Sequence, residues 1–264
     1  CADETGATLG FAKVQIGDEG SRSVATLSAV RRGNSLGSAL RLPEPIGYLP
    51  ERHMALYSTA PGRPLHQLDR TAVPAAMAAL GTALSGLHRQ PYDGLPPYTR
   101  LDGNQVTRAG ELVQAVRPDL TLLVRELVDM LLSRPRTRGP AALLHGDLHP
   151  KNVLVHDAGV SLVDLDQAGV GPAASELGAT LARLWYPRPG DEIGADAATA
   201  AGEELLASYE RPPATDELLW YAASALLVER AARAVGRVDL AVLAELERVL
   251  ATALRWAGRV VGDR

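Results

Sequence analysis

Along LGFAKVQI, residues 9 to 16, Phe11 and Lys13 fall on one side of an alternating pattern and Ala12 and Val14 on the other, a period of two that predicts a strand. Residues 21 to 32 fit a short helix, the Pro/Gly-punctuated RLPEPIGYLP follows at 41 to 50, and HMALYST at 53 to 59 predicts a second strand ended by APGRP. Beyond this point the period lengthens. AAMAALGTALSGLHRQ at 75 to 90 predicts a helix closing at Pro91. Leu120, Leu123, Leu127 and Leu131 recur at three and four residues, as do Leu243, Leu246, Leu250 and Leu254, while 216 to 235 shows the pattern more weakly. These leucines are read as core. The Gly/Ala/Asp-rich stretch 190 to 202 is read as a loop. The pattern predicts an α+β chain, with a small β-rich region over residues 1–60 and a larger, mainly helical one over 61–264.

Composition narrows the classes. A chain of 264 residues with 46% hydrophobic content can bury a substantial core. No apolar run nears the ~18 residues of a membrane span. A net charge of −4 and no basic block argue against nucleic acid as a partner. One cysteine allows no internal disulfide, which agrees with a reducing, cytoplasmic setting. The sequence begins at Cys1 rather than Met, which we read as truncation in preference to a lipoprotein start. Of 27 basic residues only Lys13 and Lys151 are lysine. A compact ammonium on a flexible stem is not interchangeable with guanidinium, so each lysine needs its own reason.

The densest chemistry lies in LLHGDLHPKNVLV, residues 143 to 155, where His145, Asp147, His149, Lys151 and Asn152 crowd between apolar neighbours. Polar side chains beside a core need partners or work. A turn capping its own backbone is the bland explanation. The next segment, NVLVHDAGVSLVDLD at 152 to 166, predicts a hairpin about a three-residue turn Asp157–Ala158–Gly159, which pairs His156 with Val160 and brings Asn152 opposite Asp164. An amide and a carboxylate oxygen at one point suit a hard cation such as Mg²⁺. With Asp147 five residues before Asn152, the layout is one used for phosphoryl transfer. Two other readings of these residues are a metal hydrolase using His145 and His149, and a glycosyltransferase using the Asp164-x-Asp166 pair. Pro150 and the lack of HExxH count against the first, and the commonness of D-x-D weakens the second.

HGDLHPKNVLV followed by LVDLDQAGVGP resembles the catalytic and metal-binding motifs of the aminoglycoside phosphotransferase and choline kinase-like family, relatives of protein kinases. LGFAKVQI resembles the strand carrying that family's ATP-binding lysine, MALYSTAPGRPL its hinge, and LSGLHRQPYDGLP its first large helix and exit loop. The resemblance implies a two-lobed protein kinase-like fold, with residues 1–60 an incomplete nucleotide-binding lobe plus hinge and 61–264 a helical lobe with the catalytic loop and substrate site. It implies ATP and Mg²⁺ as cofactors, Asp147 as catalytic base, Asn152 and Asp164 as metal ligands, and Lys13 on the α/β-phosphates. The backbone of Ser58 and Ala60 would meet the adenine edge. His145 and His149 would brace the loop, and Lys151 stays open between a substrate contact and a solvated role. Asp166 is open between a supporting carboxylate and a metal ligand.

The chain departs from the family in three places. Only CADETGATLGFA precedes Lys13, with no glycine-rich phosphate loop. The helix expected to supply an acid to Lys13 reads SRSVATLSAVRR, with Glu19 nearby only in the expected turn GDEG. Glu176 in ASELG stands where the family usually has Asp. A kinase-like binding or scaffold protein is therefore the alternative to an enzyme. The expected partners are a nucleotide and a small hydroxylated molecule, with a neutral acceptor such as a sugar favoured over a polycationic aminoglycoside. Trp185, Tyr186, Trp220 and Tyr221 are candidates for stacking on it or for the core.

Overall fold

The computed structural model describes residues 10–32, 37, 39–133, 139–187 and 193–259. The chain forms two compact units, each discontinuous in sequence. Unit 1 comprises Cys1–Pro97, Ala142–Val170 and Glu203–Arg211, and unit 2 comprises Tyr98–Ala141, Gly171–Gly202 and Pro212–Arg264.

Unit 1 contains two small sheets. In the first, β4 (Met54–Ser58) lies between β1 (Gly10–Val14) and β3 (Pro45–Leu49), both antiparallel to it, and Lys13 sits opposite Ala55. Being at the edge, β1 leaves Phe11 59% exposed, and its half-buried positions are Lys13 and, just beyond the strand, Gln15. Helix α1 (Glu19–Arg31) packs on β3 and β4 and buries Leu27 and Val30. It starts at Glu19, so the residue expected in a turn is the first of the helix. An acid in the first turn suits the positive end of the helix dipole.

The second sheet has the order β2 (Leu40–Arg41), β8 (Gly159–Leu162), β7 (Val153–His156), β5 (Arg63–Pro64). Helix α2 (Val73–His88) covers β2 and β8 with Met77, Leu80, Leu84 and Leu87 fully buried, and it carries Pro at the start, where a missing N–H is harmless. The remaining strands, β6 (Ala141–Leu144) and β9 (Gly169–Pro172), each span one of the points where the chain passes from one unit to the other.

The described part of unit 2 is mainly helical. It holds α3 (Gly103–Val116), α4 (Thr121–Leu132), α5 (Ala173–Trp185), the start of α6 (Ala195–Ala207), and α7 (Thr215–Ala225). A seven-residue π-helical stretch, Leu226–Ala232, leads from α7 into α8 (Arg233–Arg237), and α9 (Leu240–Ala244) and α10 (Leu246–Arg259) complete it. Leu120, Leu127 and Leu131 are buried as expected, but Val124 rather than Leu123 completes their stripe. The C-terminal leucine pattern is broken into two helices at Glu245. The stretch read as a loop contains a helix from Ala195 on: its alanines are the best helix formers, and the apolar side chains of Ala201 and Leu205 are fully buried. Residues 190–192 of that stretch lie outside the described ones.

Trp220 and Tyr221 belong to the core of unit 2. They are 5% and 7% exposed, lie edge to face at 4.8 Å, and the Trp220 indole N–H donates to the Leu131 carbonyl at 3.0 Å. Trp185 meets Trp256 edge-on at 5.8 Å. Helices α5 and α7 approach closely because position 178 has no side chain: a Cβ there would lie 2.7 Å from the Tyr221 Cβ and 2.8 Å from the Leu218 carbonyl oxygen. Gly178→Ala is therefore expected to destabilise the protein by about 1–3 kcal/mol, the usual range for overpacking. Chemical denaturation should show a lower midpoint, and an unchanged one would contradict this packing.

Candidate active site

The hairpin that carries the central motif differs from expectation by one residue. β7 and β8 pair Val153 with Leu162, Leu154 with Ser161, Val155 with Val160 and His156 with Gly159, so the turn is the two-residue Asp157–Ala158. Beyond the strands the Val163 N–H donates to the Asn152 carbonyl at 3.0 Å, which puts Val163, not Asp164, opposite Asn152. The cause is Gly159, which is the first residue of β8 rather than the last of the turn, at φ 140°. A Cβ there would collide with the Ala39 carbonyl just before β2.

Asp164 nonetheless does not continue the alternation of β8. Its backbone is left-handed, φ 64°, a conformation that Asp tolerates better than most residues. The chain turns there, and both Asp164 and Asp166, flanking buried Leu165, reach the same lysine.

The loop before β7 is held by its own polar groups. Gly146 is at φ 82°, and a Cβ on it would strike the Gln167 carbonyl, so this close approach requires glycine. His145 is fully buried: one ring nitrogen, Nε2, bonds the Val163 carbonyl at 2.9 Å, and the other, Nδ1, accepts the Asp147 N–H at 3.3 Å. That pattern makes Nε2 the donor to the carbonyl and Nδ1 the acceptor. Both nitrogens hold the loop, which counts against a metal-hydrolase role. Asn152 donates through Nδ2 to the Asp147 carbonyl at 3.0 Å. Its amide oxygen faces away from that bond. His149 Nδ1 accepts the Lys151 N–H at 3.3 Å, and the Lys151 side chain is exposed.

Lys13 joins the cluster from β1. Its ammonium donates to Asp164 Oδ1 at 2.7 Å and, at shorter range, to Asp166 Oδ2. Burial by itself would lower the lysine pKa, but the hydrogen bonds and charges of the two aspartates outweigh it and hold the pKa above the usual 10.5. Asp166 gathers three further side chains that the sequence did not single out. Gln15 donates to its Oδ2 at 3.1 Å, Ser23 of α1 donates to its Oδ1, and Tyr57 of β4 shares a 2.7 Å hydrogen bond with Ser23. Gln15 could have been found as the position two beyond Lys13 on one strand face. Glu19 is exposed, and the ion pairs of Lys13 described here go to the aspartates instead.

Ser58 ends β4. Its N–H donates to the Glu44 carbonyl at 2.9 Å and its Oγ accepts the Glu44 N–H at 2.8 Å, which fastens the segment to the start of β3. Ala60 follows two residues on, and the next carbonyl, of Pro61, accepts the Ser161 hydroxyl at 2.7 Å. The segment is thus tied to β8, one strand of the hairpin that begins just after Asn152. Lys13, Ser58, Ala60, Asp147, Asn152 and Asp164 all lie in unit 1.

The sequence model of the phosphotransferase enzyme family matches residues 25–212, more than half of the chain. The chain belongs to this phosphotransferase family. The match contains Asp147, Asn152 and Asp164, whereas Lys13 lies ahead of it and takes its place from the structure alone. Among curated proteins none matches the sequence.

Solved structures agree on the fold. A protein of Ralstonia eutropha provisionally named an aminoglycoside phosphotransferase is 14% identical, with a TM-score of 0.67, over 91% of this chain and 84% of that one. A choline/ethanolamine kinase family protein from Mesorhizobium loti is 15% identical, with a TM-score of 0.62, over 95% and 87%. The aminoglycoside phosphotransferase APH(3'')-Id of Streptomyces rimosus, in complex with ADP and streptomycin, is 18% identical, with a TM-score of 0.56, over 86% and 89%. The α+β fold of this phosphotransferase family member is of the protein kinase-like type.

Proposed function

We propose that the protein transfers the γ-phosphoryl group of ATP, with Mg²⁺, to a hydroxyl group of a small molecule. The observation that carries this reading is the locked pair Asp147 and Asn152 on one loop, with Asp164 and Lys13 joined in the same unit. Asp147 accepts the proton of the attacking hydroxyl. The hydrogen bonds of its own N–H and C=O aim it, and such aiming is most of what phosphoryl transfer asks of a protein. The donor set fits Mg²⁺: the Asn152 amide oxygen and the Asp164 carboxylate are hard oxygen ligands, and Mg²⁺ in such sites takes one or two carboxylates plus phosphates and water. When bound, the ion neutralises charge on the β- and γ-phosphates. Lys13 contacts the α/β-phosphates, and Ser58 and Ala60 offer backbone groups to the adenine edge, with the Ser58 carbonyl as the partner because its N–H is already bonded.

On this reading residues 1–60 supply the nucleotide-binding part and hinge, and 61–264 the catalytic loop and acceptor recognition. The ADP complex of the Streptomyces relative supports the nucleotide. For the acceptor we favour a neutral hydroxylated molecule such as a sugar over a polycation. The acids of the helical region 176 to 235 are dispersed and mixed with arginines, a poor match for a polycation. Among the described residues no helix is long and apolar enough to cross a membrane.

Thermal shift tests the nucleotide directly. Mg·ATP at 100 times its Kd should stabilise the protein by about 2.7 kcal/mol, and the shift should grow with concentration. A melting temperature indifferent to Mg·ATP would rule the reading out. Phosphate transfer to a panel of sugars, amino alcohols and aminoglycosides then separates an enzyme from a kinase-like scaffold. Efficient phosphorylation of an aminoglycoside would overturn the preference for a neutral acceptor.

A further inference from the structure

We infer that Asp166 is a positioning residue that serves Lys13 in place of an acid on α1, holding it for the nucleotide and tying α1 to β1 through Ser23. The inference rests on the reading of Lys13 as the phosphate-contacting lysine. In kinases that lysine needs an acidic partner on a neighbouring helix. Here the helix presents Ser23 at that point, and the carboxylate comes from the segment after β8.

Both oxygens of Asp166 are occupied by protein donors. Oδ2 takes Lys13 and Gln15, and Oδ1 takes Ser23, whose oxygen is also bonded to Tyr57. One carboxylate thus links β1 with the residue just beyond it, α1 and, through Ser23, β4. The two aspartates divide the work. Asp164 is 44% exposed and, among the described residues, is bonded through its side chain to Lys13, so it can turn to a cation, whereas Asp166 is 19% exposed and enclosed by donors. When Asp164 releases Lys13, Asp166 keeps it in place. With three protein donors already on its two oxygens, the surroundings of Asp166 favour the supporting carboxylate over the metal ligand.

The test is to relocate the charge. Calorimetric binding of Mg·ADP is measured for the wild type, Asp166→Ala, Asp166→Asn, and Asp166→Ala combined with Ser23→Glu, alongside hydrogen exchange of the α1 amides without nucleotide. Asp166→Ala should weaken ADP binding about tenfold, the equivalent of one charge-assisted hydrogen bond, and speed exchange across 19–31. Glutamate at 23 is longer than serine and reaches the space vacated at 166, so the double variant should recover most of the affinity and slow the exchange again. A merely structural carboxylate predicts no such rescue. Asp166→Asn keeps the shape, and a loss of affinity there carries the inference should Asp166→Ala fail to fold. Unchanged ADP affinity in Asp166→Asn or Asp166→Ala overturns it. So does a double variant that melts like the wild type yet binds no better than Asp166→Ala. A wild type that binds no nucleotide would instead remove the proposed function, and this inference with it.

Discussion

Asp147→Asn should lower turnover by about 10²–10⁴-fold, the range ascribed to a general base, while ADP affinity stays within about twofold of the wild type. The separation follows from how the loop is held. The contacts to His145 and Asn152 use the Asp147 backbone N–H and C=O, so an isosteric side-chain change leaves them intact. The negative charge is lost and with it the ability to accept a proton, which matters in the transition state more than in the bound ground state. Steady-state kinetics with calorimetry would decide. Equal loss of binding and turnover would mean that Asp147 holds the nucleotide complex, and retained turnover would remove it from the chemistry.

Asp164→Asn should raise the Mg²⁺ concentration needed for ADP binding and weaken that binding by more than about tenfold, or about 1.4 kcal/mol. Asparagine is chosen over alanine because position 164 is left-handed at φ 64°, which asparagine also tolerates, so backbone strain does not confuse the result. The substitution removes one negative charge facing Lys13 and a charged oxygen donor for the cation. ADP binding measured without Mg²⁺ should change far less. A variant with unaltered Mg²⁺ dependence would exclude Asp164 as the metal ligand, and an equal loss with and without the ion would make it a partner of Lys13 alone.

How much of the site could be read in advance depended on sequence distance. Asp147, Asn152 and Asp164 lie within one loop and one hairpin, so local geometry nearly places them, and the family match includes all three. The register error shows the limit even there. Gly159 looks like a turn glycine next to Asp157–Ala158, and its left-handed-side φ agrees, but a β2 neighbour drawn from far back in the chain makes glycine necessary inside the strand. A short motif cannot distinguish two reasons for the same residue. The cluster on Asp166 was less accessible still. Lys13 and Asp166 are 153 positions apart, and the helix expected to supply the acid presents Ser23 to that carboxylate instead. The Ala195–Ala207 helix was hidden by the Gly and Asp around it, because the burial of Ala201 and Leu205 comes from tertiary packing that composition does not show.

By itself, then, the sequence determined the α+β character, part of the buried faces of the long helices (Leu120, Leu127, Leu131, Leu246 and Leu250, but not the half-buried Leu123, Leu243 and Leu254), and the loop that presents Asp147 and Asn152, since these follow from periodicity and short-range backbone chemistry. The tertiary structure alone decided which carboxylate serves Lys13, why Gly159 is needed, and that Trp220 and Tyr221 fill the core of unit 2. Each of these is set by a neighbour distant in sequence, and the free energy of such a contact comes from packing and charge pairing that exist only once both segments are in place.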